Sequence, residues 1–300
     1  MRAAGTGWRL TLTDTFPRIA VRRTYKLYVG GAFPRSESGR SYPVTSSAGD
    51  HLANAALASR KDVRDAVVAA RKAFLGWSGR TAYNRGQILY RVAEMMEGRR
   101  SQFAEEVGAA EGVGKARAQA LVSAAVDRWV YYAGWADKFG QLLGGANPVS
   151  GPYFNLSEPE PTGVVGILAP TGSSLLGLVS VLAPVLTSGN TAVLVASEDA
   201  PLPAITLAEA LATSDLPAGA ANILTGRLSE LAAPLAGHAD VNALDLAGAG
   251  GLAAELEALA ATTLKRVRRP GGDDWDDTDP GLSRIKPFLE IKTVWHPIGR

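Results

Sequence analysis

Four apolar strands in the second half of the sequence each end in small or polar residues, the types that can contact a ligand. These residues are Pro170, Thr171, Gly172, Ser197, Glu198, Gly226, Gly248 and Ala249. Ligands of a parallel, doubly wound sheet bind beyond the carboxyl ends of its strands, so all eight residues are expected around one pocket. Glycine at such a position lets the backbone approach a ligand closely, and the serine and glutamate offer polar contacts.

Residue types suited to covalent or metal chemistry are scarce. The 300 residues include no cysteine, so a thiol nucleophile, a disulfide and a thiolate metal site are all excluded. The three histidines, His51, His238 and His296, lie far apart and have no metal-ligand spacing. We therefore expect no metal site and assign surface or packing roles to the histidines.

The charge balance argues against a nucleic-acid-binding protein. The formal net charge is only +2 over 300 residues, and nucleic-acid binding calls for a basic stripe or patch. The densest basic cluster consists of Lys265, Arg266, Arg268 and Arg269. We expect this cluster at the solvated end of a helix, where cations are favoured.

Two segments bear on export and membrane insertion. The first 23 residues contain Asp14, Pro17 and Arg18 where a secretory signal needs an apolar core, so a cytoplasmic protein is expected. Residues 161–197 carry no charge, which exceeds the roughly 20 residues that cross a bilayer. Glycines and prolines divide that stretch, which therefore predicts a buried strand, turn, helix and strand instead of a membrane span.

The first half of the chain predicts a short β-region followed by helices. Residues 24–45 predict a hairpin with a Gly-Gly turn, and the proline in "SYPVTS" favours an edge strand. Apolar residues at helical spacing then predict helices over 59–74, 81–98, 101–111 and 115–139, with Ser59 as an N-cap. A Gly/Pro/Asn loop is expected over 140–151.

The second half alternates strands with helices as far as "GGLAAELEALAATTLKRV", which predicts a helix. Such alternation predicts an α/β fold with a doubly wound, Rossmann-like parallel sheet and helices on both faces. The segment "GGDDWDDTDPG" follows, and its Gly, Pro and Asp content predicts a solvated linker. An apolar, strand-like tail comes last.

Six collinear segments resemble the aldehyde dehydrogenase superfamily. They are "DVRDAVVAARKAF", "YYAGWADKFG", "EPTGVVGILAP", "SGNTAVL", "LPAGAANILTG" and "FLEIKTVW". The resemblance implies a cofactor domain, a catalytic domain with a cysteine nucleophile, and an oligomerisation sheet built from the early hairpin, the loop before the sheet and the tail. It runs to about Val267 and resumes at about Leu282, so the catalytic domain is the part left out.

The resemblance therefore implies four parts: 24–156 with the hairpin, helices and bridging loop, 157–268 as the cofactor-type domain, 269–281 as an acidic linker in place of the catalytic domain, and 282–300 as the oligomerisation strand.

The catalytic groups of that family are missing here. The cysteine is absent, and the family's Pro-Trp-Asn reads Pro170-Thr171-Gly172, without the amide that polarises the oxyanion. The family's Leu-Glu-Leu-Gly-Gly is matched at best by 267–272, where no carboxylate precedes the glycines. We expect no catalytic residue and no aldehyde oxidation by this chain alone.

Cofactor contacts implied by the resemblance are only partly kept. The family's Lys-Pro-Ser-Glu reads Val195-Ala196-Ser197-Glu198, and its Phe-Thr-Gly-Ser ends here in Gly248 and Ala249. Each lost bond to a charged group costs about 1.5–3 kcal/mol, so NAD(P) is expected to bind weakly or not at all. Glu198 could instead cap the helix that follows Pro201, because a carboxylate is favoured at a helix N-terminus.

The retained segments are those with which the family assembles. We therefore expect a non-catalytic subunit whose partner is a full-length aldehyde dehydrogenase, or a second copy of itself, with no role for nucleic acid or membrane. Two alternatives stay open: a stand-alone NAD(P)-binding sensor, and an oxidoreductase component that supplies its cofactor domain in trans.

Overall fold

A computed structural model describes residues 23–299 of the chain, and a five-stranded parallel sheet lies at its centre. In chain order its strands are β6 (Val164–Leu168), β7 (Thr191–Val195), β8 (Ala221–Leu224), β9 (Ala243–Asp245) and β10 (Arg266–Arg268), whereas their order in the sheet is β10-β9-β6-β7-β8. Strands β6, β7, β8 and β9 are buried throughout, as the continuous apolar sequence of a sheet covered on both faces requires. The predicted fold class is confirmed.

Helices cover both faces of the sheet and bury two apolar clusters. They are α1 (Arg60–Ser78), α2 (Ala82–Glu97), α3 (Arg100–Glu111), α4 (Lys115–Trp135), α5 (Phe139–Leu143), α6 (Leu176–Thr187), α7 (Leu202–Ala212), α8 (Leu228–Ala236) and α9 (Ala253–Ala261). One cluster joins the sheet to α2, α3, α4, α6 and α7, and the other joins it to α1, α8 and α9. Ser59 accepts a hydrogen bond from Lys61 N and forms a capping box with Asp62, which confirms it as an N-cap.

The uncharged stretch 161–197 folds as the sequence predicts. It contains β6, α6 and β7, and α6 is buried along its whole length. Over residues 23–299, no helix has the length and hydropathy needed to cross a bilayer. The expectation about export concerns the first 23 residues, of which 1–22 lie outside the described part of the chain.

The early β-region differs from the predicted hairpin. Strand β2 (Ser41–Thr45) is an edge strand, as its proline indicated, but it pairs with β3 (His51–Ala56), which the sequence reading missed. Strand β1 (Thr24–Tyr25) runs parallel to β3. The Gly30-Gly31 turn does form, closed by a single bridge between Val29 and Ala32. The alanine-rich sequence of β3 has little strand propensity, so only its pairing reveals it.

A separate sheet joins the C-terminal tail to the chain just before β6. It consists of β4 (Gly145–Asn147), β5 (Tyr153–Pro161) and β11 (Leu289–Pro297) in the order β11-β5-β4. The predicted loop 140–151 is thus part helix and part strand, and β5 crosses the predicted boundary at residue 156. The resemblance implied that the early hairpin is part of the oligomerisation sheet. This expectation is wrong, because the hairpin residues belong to the β1-β3-β2 sheet.

The basic cluster at 265–269 is not a helix end. Helix α9 stops at Ala261, Leu264 adopts a left-handed φ of 56°, and Arg266–Arg268 form β10, which pairs with β9. Two β-branched threonines interrupt the helical pattern before this turn, and residues with branched side chains favour extended structure. Lys265 is 9% exposed, so the cluster is not simply solvated.

Candidate functional site

The carboxyl edge of the five-stranded sheet carries all eight residues that the sequence predicts for a site. Sheet order reverses between β6 and β9, the position at which doubly wound sheets bind ligands. Pro170, Gly248 and Ala249 follow these two strands, whereas Ser197 and Gly226 follow β7 and β8. The structure thus places the eight residues along one edge, although their binding role stays a prediction.

The turn after β6 is packed against the protein on one side and exposed to solvent on the other. Pro170 is buried, whereas Thr171 and Gly172 are exposed. Gly172 has a φ of +83°, and a Cβ built there would meet nothing within 4 Å. A carboxylate anchors the far side of the turn: Glu111 Oε1 accepts hydrogen bonds from Ser174 N at 2.7 Å and Ser174 Oγ at 2.6 Å.

The turn after β9 has already used its hydrogen-bond donors. Ala247 N donates to Asp245 Oδ1 at 3.0 Å, Gly248 N to Leu168 O at 2.9 Å, and Ala249 N to Leu246 O at 2.9 Å. Three consecutive amides that could meet a pyrophosphate are therefore bonded within the chain. These residues do not fit the phosphates of a dinucleotide as they stand, because such a site needs free donors.

Gly248 is a glycine because the neighbouring strand lies against it. A Cβ at this position would be 1.9 Å from the carbonyl oxygen of Ala169 and 2.7 Å from its carbon. The close backbone approach that the sequence suggested for a ligand is thus made by the chain itself. Ala249 is 2% exposed and packs in the cluster beneath α8 and α9.

Glu198 caps a helix, but not the one that the sequence indicated. Its Oε2 accepts a hydrogen bond from Leu228 N, the first residue of α8, at 3.2 Å, and its Oε1 lies 3.6 Å from Arg227. Helix α7 has no side-chain cap. Because α8 starts beside the end of β7, the carboxylate reaches that helix rather than the one after it in sequence. Ser197 is 7% exposed.

A polar cleft of about 420 Å³ lies where β2 passes the ends of β7 and β8. Its lining includes Glu198, Asp199, Arg227 and residues 42–47. Glu198 is the only one of the eight predicted residues in this lining. The Tyr42 hydroxyl donates to the carbonyl of Glu198 at 3.3 Å. Burial is the main cause of the raised pKa of this hydroxyl, and the negative charges of Glu198 and Asp199 raise it further.

The most deeply buried charges at this edge were missed by sequence reasoning. Asp245, the last residue of β9, is fully buried, and its Oδ2 accepts a hydrogen bond from Arg284 at 2.9 Å. Arg268 lies 3.9 Å from the same carboxylate, and Asp273 contacts Arg268 at 2.7 Å and Arg284 at 2.5 Å. We call these four residues the edge cluster. A lone aspartate in an apolar strand was the available signal, because a buried carboxylate needs a cation.

In the edge cluster, burial and the neighbouring opposite charges shift the pKa values in opposite directions. Burial raises the pKa of Asp245, and the guanidinium groups of Arg284 and Arg268 act against that rise. Burial lowers the pKa of Arg284, and the carboxylates of Asp245 and Asp273 oppose it. Two positive and two negative groups thus neutralise one another away from water, which offsets the desolvation that each would suffer alone.

The acidic segment 269–281 is mostly exposed, as its composition predicted, yet it is held in place. Arg128 of α4, itself 5% exposed, donates to the carbonyl oxygens of Trp275 and Asp277. The Tyr131 hydroxyl donates to Asp279 at 2.6 Å. Trp275 packs against Arg284, with the guanidinium carbon 4.7 Å from the ring centroid. The segment is therefore solvated, as predicted, and hydrogen bonds from α4 and the contact of Trp275 with Arg284 also hold it in place.

Metal binding finds no support in the geometry of the described residues. Between residues 23 and 299, no three histidine, aspartate or glutamate side chains are grouped so that they could hold a metal ion. His51 lies in β3, His238 in the loop after α8, and His296 in β11.

Comparison with known proteins identifies the family. The model of the aldehyde dehydrogenase family matches residues 33–272. Retinal dehydrogenase 2 of Homo sapiens is 33% identical over 264 residues, which are 85% of this chain and 50% of that protein. The cytosolic aldehyde dehydrogenase 1 of Elephantulus edwardii is 32% identical over 256 residues, 83% of this chain and 50% of that protein.

Solved structures agree with the sequence comparison. The NAD⁺ complex of the Bacillus cereus aldehyde dehydrogenase superposes with a TM-score of 0.76 at 28% identity, covering 82% of this chain and 50% of that one. The NAD-dependent enzyme of Sinorhizobium meliloti gives a TM-score of 0.77 at 28% identity with the same coverage. The chain thus spans about half the length of the relatives that it matches, and it belongs to the aldehyde dehydrogenase family.

Proposed function

We propose that this chain is a non-catalytic aldehyde dehydrogenase subunit that assembles with a full-length, active member of the family and stabilises or regulates it. The observation that carries the proposal is the β11-β5-β4 sheet, which exposes apolar side chains to solvent. On one face of this sheet Tyr153 is 43% exposed, Ile291 55% and Trp295 58%, and the ring centroids of Tyr153 and Trp295 are 5.8 Å apart. Contiguous exposed apolar surface of this kind is typical of a protein interface.

The chemistry of the chain supports a non-catalytic role. Its 300 residues include no cysteine that could attack a carbonyl. Gly172, at the position of the family's oxyanion asparagine, contributes no side-chain donor. The chain therefore lacks both the nucleophile and the side-chain group that would stabilise the charge on the substrate oxygen.

Internal contacts at the sheet edge support the same reading. The amides of 247–249 are bonded within the chain, and Glu198 caps α8. Asp245 is neutralised by Arg284. Because these groups are already paired, the edge is better suited to holding the fold together than to turning over a cofactor.

Co-expression with a full-length family member tests the proposal. We expect the two chains to co-purify and to elute as one species whose mass, by light scattering, exceeds that of either chain alone. The exposed Trp295 should lie in the contact, so Trp295→Ser should weaken the complex, whereas the exposed Leu264, in a different region, can be changed to Ser as a matched control. The proposal would be refuted if the chain bound none of the full-length family members tested.

A nicotinamide dinucleotide sensor is the second candidate, favoured by the cleft of about 420 Å³ that Glu198 lines. The cleft falls within the range of about 300–1,000 Å³ typical of ligand pockets. A rise in melting temperature with NAD or NADP that Glu198→Ala abolishes would support this function. An unchanged melting temperature at millimolar dinucleotide would exclude it without affecting the assembly proposal.

A further inference from the structure

Among residues 23–299, no backbone partners are found for one row of groups on strand β11. It is the outer strand of the β11-β5-β4 sheet, and residues 290–299 are exposed throughout. Its pairing with β5 fixes which groups face outward. Thr162 N donates to Phe288 O at 3.3 Å, and Ile298 N donates to Pro152 O at 2.7 Å, in the same antiparallel register as the rest of the pair.

Even-numbered residues of β11 therefore direct their backbone groups toward β5, since hydrogen-bonded pairs alternate along an antiparallel ladder. The odd-numbered residues Ile291, Thr293 and Trp295 direct theirs toward the open edge. Leu289 N is already bonded to Lys286 O, and Pro297 has no N–H to donate. Three consecutive outward residues thus offer both a donor and an acceptor.

We propose that β11 pairs with β11 of a second copy of this chain, antiparallel and centred on Thr293, so that two three-stranded sheets become one sheet of six strands. This arrangement goes beyond the proposed function, because it needs no full-length family member. A twofold axis passes between the two Thr293 residues, and the interface is the same patch on both copies.

The register follows from the outward residues. Centring on Thr293 places Ile291 opposite Trp295 of the partner subunit and Thr293 opposite Thr293 of the partner subunit, so every outward N–H meets an outward carbonyl. It is also the register in which all of Leu289–Pro297 overlaps. Centring on Ile291 or on Trp295 would shorten the overlap and leave outward groups unpaired.

The side chains are compatible with this pairing. Glu290 faces His296 of the partner subunit, and Lys292 faces Val294 of the partner subunit, so no two like charges are opposed. The apolar Ile291 and Trp295, both more than half exposed in the single chain, pack across the junction. Cross-strand pairs of aromatic and β-branched residues stabilise antiparallel sheets, and an unpaired edge of this kind is a template for strand addition.

Cysteine cross-linking tests the pairing directly, because the native sequence contains no cysteine. Across a hydrogen-bonded pair the Cα atoms are about 5.5 Å apart, within the range of about 4.4–6.8 Å that a disulfide spans. We expect purified Thr293→Cys to form a disulfide-linked dimer under mild oxidation. Leu264→Cys, at a residue 92% exposed outside the strand, is the control for random collision and should remain monomeric on a denaturing gel.

A second pair of variants tests the register. The two copies of residue 291 are separated by four residue steps along the strands, about 13 Å, so Ile291→Cys should not link to itself. Mixed with Trp295→Cys, it should form a heterodimeric disulfide. Self-linking of Ile291→Cys as efficient as that of Thr293→Cys would overturn the register.

Proline at the centre of the edge tests the hydrogen bonds. Because Thr293 N points away from β5, Thr293→Pro removes an outward donor and spares the ladder within the chain, whereas Thr293→Ala keeps the donor. By light scattering we expect the native chain and Thr293→Ala to dimerise and Thr293→Pro to be monomeric. The proposal is overturned by a native chain that stays monomeric at about 100 µM and whose Thr293→Cys variant cross-links no better than Leu264→Cys.

Discussion

Asp245 connects parts of the chain that are distant in sequence. It ends β9 fully buried, receives a hydrogen bond from Ala247 N, and meets Arg284 at 2.9 Å. Arg284 in turn stacks on Trp275 and contacts Asp273. A carboxylate in this position is stable only when its cation is present, so the central sheet and the C-terminal segment depend on each other.

Asp245→Asn should therefore destabilise the protein strongly. Asparagine keeps the size of the side chain but leaves Arg284 buried with less compensating charge, and removal of one partner of a buried pair costs about 3–5 kcal/mol. We expect the lower end of that range, because Asp273 remains beside Arg284. The measurement is the free energy of unfolding in urea.

Asp276→Asn is the matched control. Asp276 pairs with Arg117 at 2.7 Å, but both side chains are more than half exposed, and such surface pairs contribute at most about 1 kcal/mol. Equal losses for the two variants would mean that the burial of Asp245 has no energetic consequence.

At the scale of elements, the segment 269–281 contains no helix or strand, and α4 holds it instead. Arg128 satisfies two of its carbonyl groups, and Tyr131 contacts it at both Asp279 and Gly281. Arg128 also donates to Ser180 of α6 at 2.8 Å. One buried guanidinium thus fixes the path of an otherwise irregular stretch, which has little apolar surface of its own to bury.

Arg128→Ala should release this segment while leaving the central sheet intact. We expect limited proteolysis with an aspartate-specific protease to cut at the five aspartates between 273 and 279 at least several-fold faster than in the native chain, because cleavage tracks local opening. Arg117→Ala, which removes only an exposed ion pair, should change the cutting rate little. Unchanged cleavage in Arg128→Ala would show that other contacts hold the segment.

At the scale of the whole molecule, the buried carboxylate of Glu106 links strand β1 to helices α3 and α7. Glu106 Oε1 of α3 accepts hydrogen bonds from Tyr25 at 2.8 Å and from Thr206 of α7 at 2.8 Å. Burial raises the pKa of Glu106, and the hydrogen bonds from Thr206, Tyr25 and Gln102 oppose that rise. The folded state therefore holds the proton more tightly than the unfolded state.

This difference makes stability depend on pH with a definite sign. The contribution of Glu106 is fully present below its unfolded pKa, about 4.3, and is lost as pH rises through the higher folded value. The stability advantage of the native chain over Glu106→Gln should accordingly shrink in urea unfolding as pH rises above about 4.3. Glu105→Gln, the same change at an exposed neighbour on α3, is the control variant. An advantage over Glu106→Gln that grows with pH would contradict the expectation.

The sequence predicted the central sheet and its helices well because their signals are local and repeated. Apolar strands bounded by Gly and Pro, and helices with a cap such as Ser59, need no knowledge of distant residues. Strand β3 escaped because alanine-rich segments have weak strand propensity. The end of α9 was predicted too late because the left-handed turn at Leu264 has no glycine to mark it.

At the candidate site, position was predictable but pairing was not. Strand order alone placed Gly248 and Glu198 at the sheet edge. Their partners, the carbonyl of Ala169 and the amide of Leu228, depend on how the neighbouring turns pack. The edge cluster was invisible for the same reason, since Arg284 is distant from Asp245 in sequence and its role appears only in three dimensions.

The pairing of Asp245 with Arg284 also affects how the protein folds while it is being synthesised. Translation delivers the carboxylate first, and its principal counter-ion follows 39 residues later. N-terminal parts fold first during synthesis, yet the charge of Asp245 stays without this partner until Arg284 emerges. Nascent chains halted before residue 284 should accordingly engage chaperones longer than those halted after it.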